Sequence, residues 1–118
     1  MKYIEAAKLI DYDSITGSVT WRERPLSEFK HERFGKSWNR RFAGQPAGYE
    51  FIRCYPGTWE ESYVSMRLEH KKKVFPLSKL LWVKMTGEFP EGRVKFRNGD
   101  PRDLRWANMY VGDPVSFF

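Results

Sequence analysis

At 118 residues the chain holds one domain with a modest core, and its composition carries no disordered or collagenous bias. Twenty-one Lys and Arg against fifteen Asp and Glu leave a net +6, a balance that favours nucleic acid or an acidic protein surface as partner. The lone Cys54 excludes an internal disulfide and a cysteine-held structural zinc, and no stretch reaches the roughly 20 apolar residues of a membrane helix. MKYIEAAKLIDYD lacks the apolar run of a signal peptide, so a reduced, cytoplasmic setting is expected.

Tyr3, Ala6, Ala7 and Ile10 follow the i, i+3, i+4, i+7 spacing of one helical stripe, which predicts a short helix over 2–10. Asp11 and Asp13 then favour a break. A hairpin follows, turning at Gly17, with Ser18 to Trp21 as the returning strand and Val19 and Trp21 on one face. From Arg22 to Gln45 the periodicity is weak, and the segment reads largely as loop. Seven cations there (Arg22, Arg24, Lys30, Arg33, Lys36, Arg40, Arg41) outnumber Glu23, Glu28 and Glu32 for a local +4. Phe29, Phe34, Trp38 and Phe42 are interleaved with them, a mixture that either tracks a phosphate backbone while stacking on bases or pins a hydrated loop to the core.

Tyr49 to Tyr55 is β-prone, and Pro56-Gly57 marks a turn. In Tyr63 to Glu69, Val64, Met66 and Leu68 alternate with Tyr63, Ser65, Arg67 and Glu69, the pattern of a half-exposed strand. His70-Lys71-Lys72 makes the bend and Lys73 to Phe75 returns. The outer face of this small antiparallel sheet either lies against DNA or is simply wet. The Lys71-Lys72-Lys73 run reads first as a solvated turn. Pro76 opens a helix to about Met85, with Leu77, Leu80, Leu81 and Lys84 along one side and Thr86-Gly87 at its end. Phe89-Pro90-Glu91-Gly92 turns into a short strand ending in Lys95-Phe96. A tight Asn98-Gly99-Asp100 turn and a short helix carrying Asn108 follow. No repeat or linker divides the chain.

Three stretches, LIDYDSITGSVTWRERP, NRRFAGQPAG and GRVKFRNGDPRDLRWANMY, together resemble the HNH endonuclease family of the phage type over nearly the whole chain. The resemblance implies an α+β fold: a small antiparallel sheet with short helices and a C-terminal ββα-metal-like (HNH-like) motif. It makes 1–118 a single domain, with the N-terminal helix, hairpin, sheet and helix in 1–91, the motif in 92–110 and a tail in 111–118. In that family an acidic residue on the strand and an asparagine on the helix hold a divalent metal, and the adjacent histidine accepts a proton from the attacking water. Aligned on the Asn98-Gly99-Asp100 turn, Lys95 takes the acidic position, Phe96 the base and Asn108 the helical ligand. Ser78-Lys79 takes the place of an upstream histidine-arginine pair.

Phenylalanine accepts no proton, and a lysine ammonium repels Mg²⁺ rather than ligating it. His31 and His70 fall in a loop and a turn. The expectation is therefore a degenerate member with no catalytic residue, no cofactor and no metal, Asn108 being a vestigial ligand position. Binding to double-stranded DNA is then expected through a basic face of Arg40, Arg41, Lys79, Lys95, Arg97, Asn98, Arg102, Arg105 and Asn108. Lys95 either contacts phosphate or pairs locally with Asp100 or Asp103. Two other functions stay open. One is a phage-encoded protein that grips a host or defence protein, such as a nuclease or polymerase, through Trp38, Trp59, Phe117 and Phe118. The other is a nuclease with a rearranged site.

Overall fold

The computed structural model describes residues 2–112, and its core forms where two short helices meet a twisted sheet. α1 (Lys2–Ala7) packs its buried Ala6 and Ala7 against α3 (Leu77–Thr86), the small side chains allowing close approach. Ile10, the last position of the helical stripe, is fully buried but belongs to a strand, because α1 ends at Ala7. The ammonium of Lys84 on α3 donates to the Ala7 carbonyl at 3.0 Å and so closes the free end of α1.

β1 (Ile10–Tyr12) pairs antiparallel with β2 (Val19–Trp21). Asp13 Oδ1 accepts from the backbone N–H groups of Ile15 and Thr16, and Gly17 turns the chain at φ 80°. That turn abuts the C-terminal loop: a Cβ on Gly17 would stand 2.8 Å from the Arg105 nitrogen. Trp106 N–H donates to the Ser14 carbonyl at 2.9 Å, and the Tyr12 hydroxyl donates to that of Leu104.

The segment expected to be loop contains α2 (Glu32–Phe42). Phe34, Trp38 and Phe42 lie one turn apart, Glu32 sits in the first turn and Arg40 and Arg41 in the last, so ring spacing and helix dipole both favour it. Trp38 anchors the helix edge-on to Trp21, with ring centroids 5.9 Å apart. Asn39 ties it to Arg24, accepting from its N–H and donating to its carbonyl.

β3 (Tyr49–Cys54), β4 (Glu61–His70) and β5 (Lys73–Pro76) form an antiparallel sheet in that order. The alternation read in β4 holds: Leu68 and Phe75, which pair directly, are buried in the core, while Tyr63 and Glu69 are exposed. The β4–β5 turn places Lys71 and Lys72 at φ 50° and 62°, the left-handed pair that a two-residue hairpin requires. Pro76 precedes α3 and Gly87 ends it at φ 78°.

β6 (Val94–Phe96) pairs with β7 (Met109–Val111), so the strand, turn and short helix expected over 92–110 lie within a hairpin with a long connection. The only helical piece there is a single 3₁₀ turn, Trp106–Asn108. It ends because Met109 is drawn into the core opposite Phe96 and the Asn108 amide is committed to the loop. The mixed α+β class with small antiparallel sheets and short helices is thus as expected. Phe117 and Phe118 lie outside the described residues. Among the described residues no helix is long and apolar enough to cross a membrane.

Candidate nucleic-acid interface

Between the sheet, the start of α3 and β6 lies a cleft of about 900 Å³. β4 contributes the consecutive residues from Tyr63 to Arg67, α3 contributes Ser78 and Lys79, β6 with its approach contributes Arg93, Lys95 and Phe96, and the following loop adds Gly99, Pro101 and Leu104. Arg67, Lys79, Arg93 and Lys95 therefore meet on one surface, and among the described residues no carboxylate or amide side chain lines it. None of these cations takes part in an ion pair among the described residues. Aromatic rings hold two of them instead. The Arg67 guanidinium sits over Phe51, 3.8 Å from the centroid, and the Lys79 ammonium stands 5.9 Å from that of Phe89.

Lys95 is half-buried, its side chain lying across Gly112. A Cβ there would come within 2.6 Å of Cε and 3.0 Å of Nζ, so glycine at 112 makes the room. The charge of the cleft is felt by Tyr63: hydrogen bonds to Ser65 and Arg67, and the nearby cations Arg67 and Arg93, hold its phenol below the usual range.

The connection from Arg97 to Asn108 is built the opposite way. Asn108, the one buried polar residue among those described, accepts from the Asn98 N–H (3.1 Å) and donates to Asn98 Oδ1 (3.0 Å) and the Asp103 carbonyl (2.9 Å). Asp103 also takes a two-pronged contact from Arg105, at 2.8 and 2.6 Å, and the Asn98 amide at 2.9 Å. These contacts, Arg105 first, hold its carboxyl down at about 2. Arg102 bridges Glu50 on β3 and Glu61 on β4, clasping the loop to the sheet.

Of the basic face read from sequence, only Lys79 and Lys95 meet in the cleft. Arg97 donates to the Ala107 carbonyl and lies over the Tyr110 ring, Asn98 is spent within the loop, and Arg102 and Arg105 are paired with carboxylates. Arg40 and Arg41 are exposed on the last turn of α2, outside the cleft. Asn108 is corrected from surface contact to buried brace of the loop, since its amide is already engaged on both sides. Lys95 pairs with neither Asp100 nor Asp103. Trp38, expected as an exposed anchor, is half-buried among Trp21, Phe29 and Phe42. Sequence reasoning missed Arg67 and Arg93. Arg67 stood on the outward set of the β4 alternation, and that signal could have placed it.

A divalent metal does not fit this arrangement. Lys95 supplies positive charge where an oxygen ligand is needed, and the Asn108 side-chain oxygen already accepts a hydrogen bond from the Asn98 N–H. Among the described residues no three His, Cys, Asp or Glu side chains gather as a ligand set. His31 and His70 are not among the residues lining the cleft. Compared with family models, curated proteins and solved structures, the chain has no significant match.

Proposed function

We propose that this protein binds the phosphate backbone of nucleic acid through the cleft and does not cut it. The single observation that carries this reading is the convergence of Arg67, Lys79, Arg93 and Lys95 without a carboxylate among the described lining residues. Unpaired cations held around a concavity attract a polyanion and release its counterions. The scaffold is read as a degenerate phage-type HNH fold, with duplex DNA as the form that resemblance implies. In support, the positions assigned to the family's upstream pair (Ser78-Lys79) and to its acid and base (Lys95-Phe96) line the same cleft. In this chain those positions offer a phosphate contact and an apolar wall, with no proton acceptor.

Titration of labelled DNA at increasing salt tests the reading. Binding is expected to weaken steeply as salt rises, and affinity that is absent or indifferent to salt refutes it. Incubation with plasmid and Mg²⁺ or Mn²⁺ is expected to leave the plasmid intact. Lys95→Asp with Phe96→His is expected to gain no nicking, because the Asn108 amide stays engaged.

A second reading, a protein that grips a host or defence protein, is favoured by one feature. Trp59, at the tip of the β3–β4 hairpin, is 96% exposed, with Tyr55 beside it at 54%. Nuclease-resistant recovery of one stoichiometric protein from host lysate, lost in Trp59→Ala, supports it. Recovery of nucleic acid alone dismisses it.

A further inference from the structure

We infer that the outward face of the three-stranded sheet is a base-stacking platform and that the cleft's ligand is single-stranded DNA. The inference rests on the nucleic-acid reading above and specifies the form of the strand. Directly opposed residues of an antiparallel pair share a face. The register therefore puts Tyr49, Phe51 and Arg53 of β3 beside Arg67, Ser65 and Tyr63 of β4. Tyr49 and Tyr63 are 40% and 49% exposed. The Tyr63 ring meets Phe51 at 67° with centroids 6.3 Å apart, and Phe51 in turn supports the Arg67 guanidinium. Tyr63, Ser65 and Arg67 also line the cleft along β4, beside Val64 and Met66, so the rings and cations of this face border Lys79, Arg93 and Lys95. The acidic residue in the strand alternation on this face is Glu69, beyond Arg67 at the end away from Tyr63.

A duplex hides the faces of its bases inside the stack, and cations alone suffice to hold it. An unpaired base offers a π-face, which a half-exposed tyrosine beside cations is suited to take. Ribose is distinguished by its 2′-hydroxyl, and the contacts argued for this surface, cations to phosphate and rings to bases, ask for none. The commitment is therefore to DNA.

The test uses the full chain and a labelled mixed-sequence oligonucleotide about 15 nucleotides long, as single strand, as duplex and as RNA, at one salt concentration. The single DNA strand is expected to bind on the order of tenfold more tightly than its duplex, and no more weakly than the RNA. Tyr63→Ala is expected to weaken single-strand binding by about tenfold and duplex binding by no more than about threefold, and Tyr63→Phe to retain single-strand binding. Equal or tighter duplex binding, single-strand affinity indifferent to Tyr63→Ala, or RNA preferred about tenfold overturns the inference. If circular dichroism shows that the alanine variant does not fold, photocrosslinking of wild type to a bromouracil-substituted strand decides. An adduct on Tyr63 or Tyr49 supports the platform, and adducts confined to other residues overturn it. Binding of neither form sinks the functional reading as well, whereas duplex binding lost on reversing cleft charges, with Tyr63 immaterial, sinks the platform alone.

Discussion

The cleft and the loop from Arg97 to Asn108 hold the same kinds of side chain and use them in opposite ways. In the loop, Arg105 has Asp103 two residues before it, and Arg102 reaches Glu50 and Glu61 across the sheet, so their charge is neutralised within the fold. In the cleft, Arg67, Lys79, Arg93 and Lys95 are set on separate elements with no carboxylate among the described lining residues, so their charge faces outward. Net charge counts both sets equally. Which cations are available to a ligand depends on which acids the backbone brings within reach.

The largest expected effect separates the two sets by function. Lys79→Glu with Lys95→Glu places two anions in the cleft and should lower DNA affinity by roughly a hundredfold or more at moderate salt, read by fluorescence anisotropy. Arg102→Ala with Arg105→Ala should leave the affinity of the folded protein within about threefold, since those charges are already compensated. Comparable losses in the two double variants would erase the distinction.

Stability should divide the other way. Asn108→Ala removes three hydrogen bonds and strands the Asn98 N–H and the Asp103 carbonyl, at a cost of about 2–4 kcal/mol in urea unfolding. Affinity per folded molecule should not change. Gly17→Ala is next, at about 2 kcal/mol, because φ 80° disfavours a side chain and the new Cβ would press on the Leu104–Arg105 backbone. A variant as stable as wild type would show that the N-terminal turn does not brace the loop.

The smallest effect is on pH dependence. Asp103 is held at about 2 in the fold, below its ordinary 3.8, chiefly by Arg105. Its contribution to stability is therefore fully present above about pH 4 and is lost as pH falls toward 2. Asp103→Asn should flatten the stability profile in that window and leave it unchanged near neutrality relative to pH 5. A profile unaltered between pH 2 and 4 would mean the Arg105 contact is not formed in solution.

Much of the scaffold was legible because its signals are local. The Pro76 start and Gly87 stop bracket α3, the β4 alternation gives its two faces, and Gly17 marks the first hairpin. α2 was not read, although Phe34, Trp38 and Phe42 are spaced a turn apart, because Gly35 and the dense charges around them blur the stripe. The short helix expected at Asn108 is present as a single 3₁₀ turn, but the strand after it was not read, because the pairing partner of Met109 to Val111, β6, lies upstream. The cleft was half legible. Lys79 and Lys95 came from the family resemblance, but Arg67 and Arg93 join them only through strand pairing and packing that no short window contains. Nor does charge spacing reveal that Arg102 closes onto Glu50 and Glu61, some 52 and 41 residues away.

The most direct measurement is the salt dependence of DNA binding by the wild type, Lys95→Ala and Arg102→Ala. Four cleft cations on a single strand predict a slope of log affinity on log salt near −3, reduced by about 0.7 on removing Lys95 and unchanged on removing Arg102. A wild-type slope near zero, or a slope that falls with Arg102 and not with Lys95, would contradict the assignment of the cleft as the binding surface.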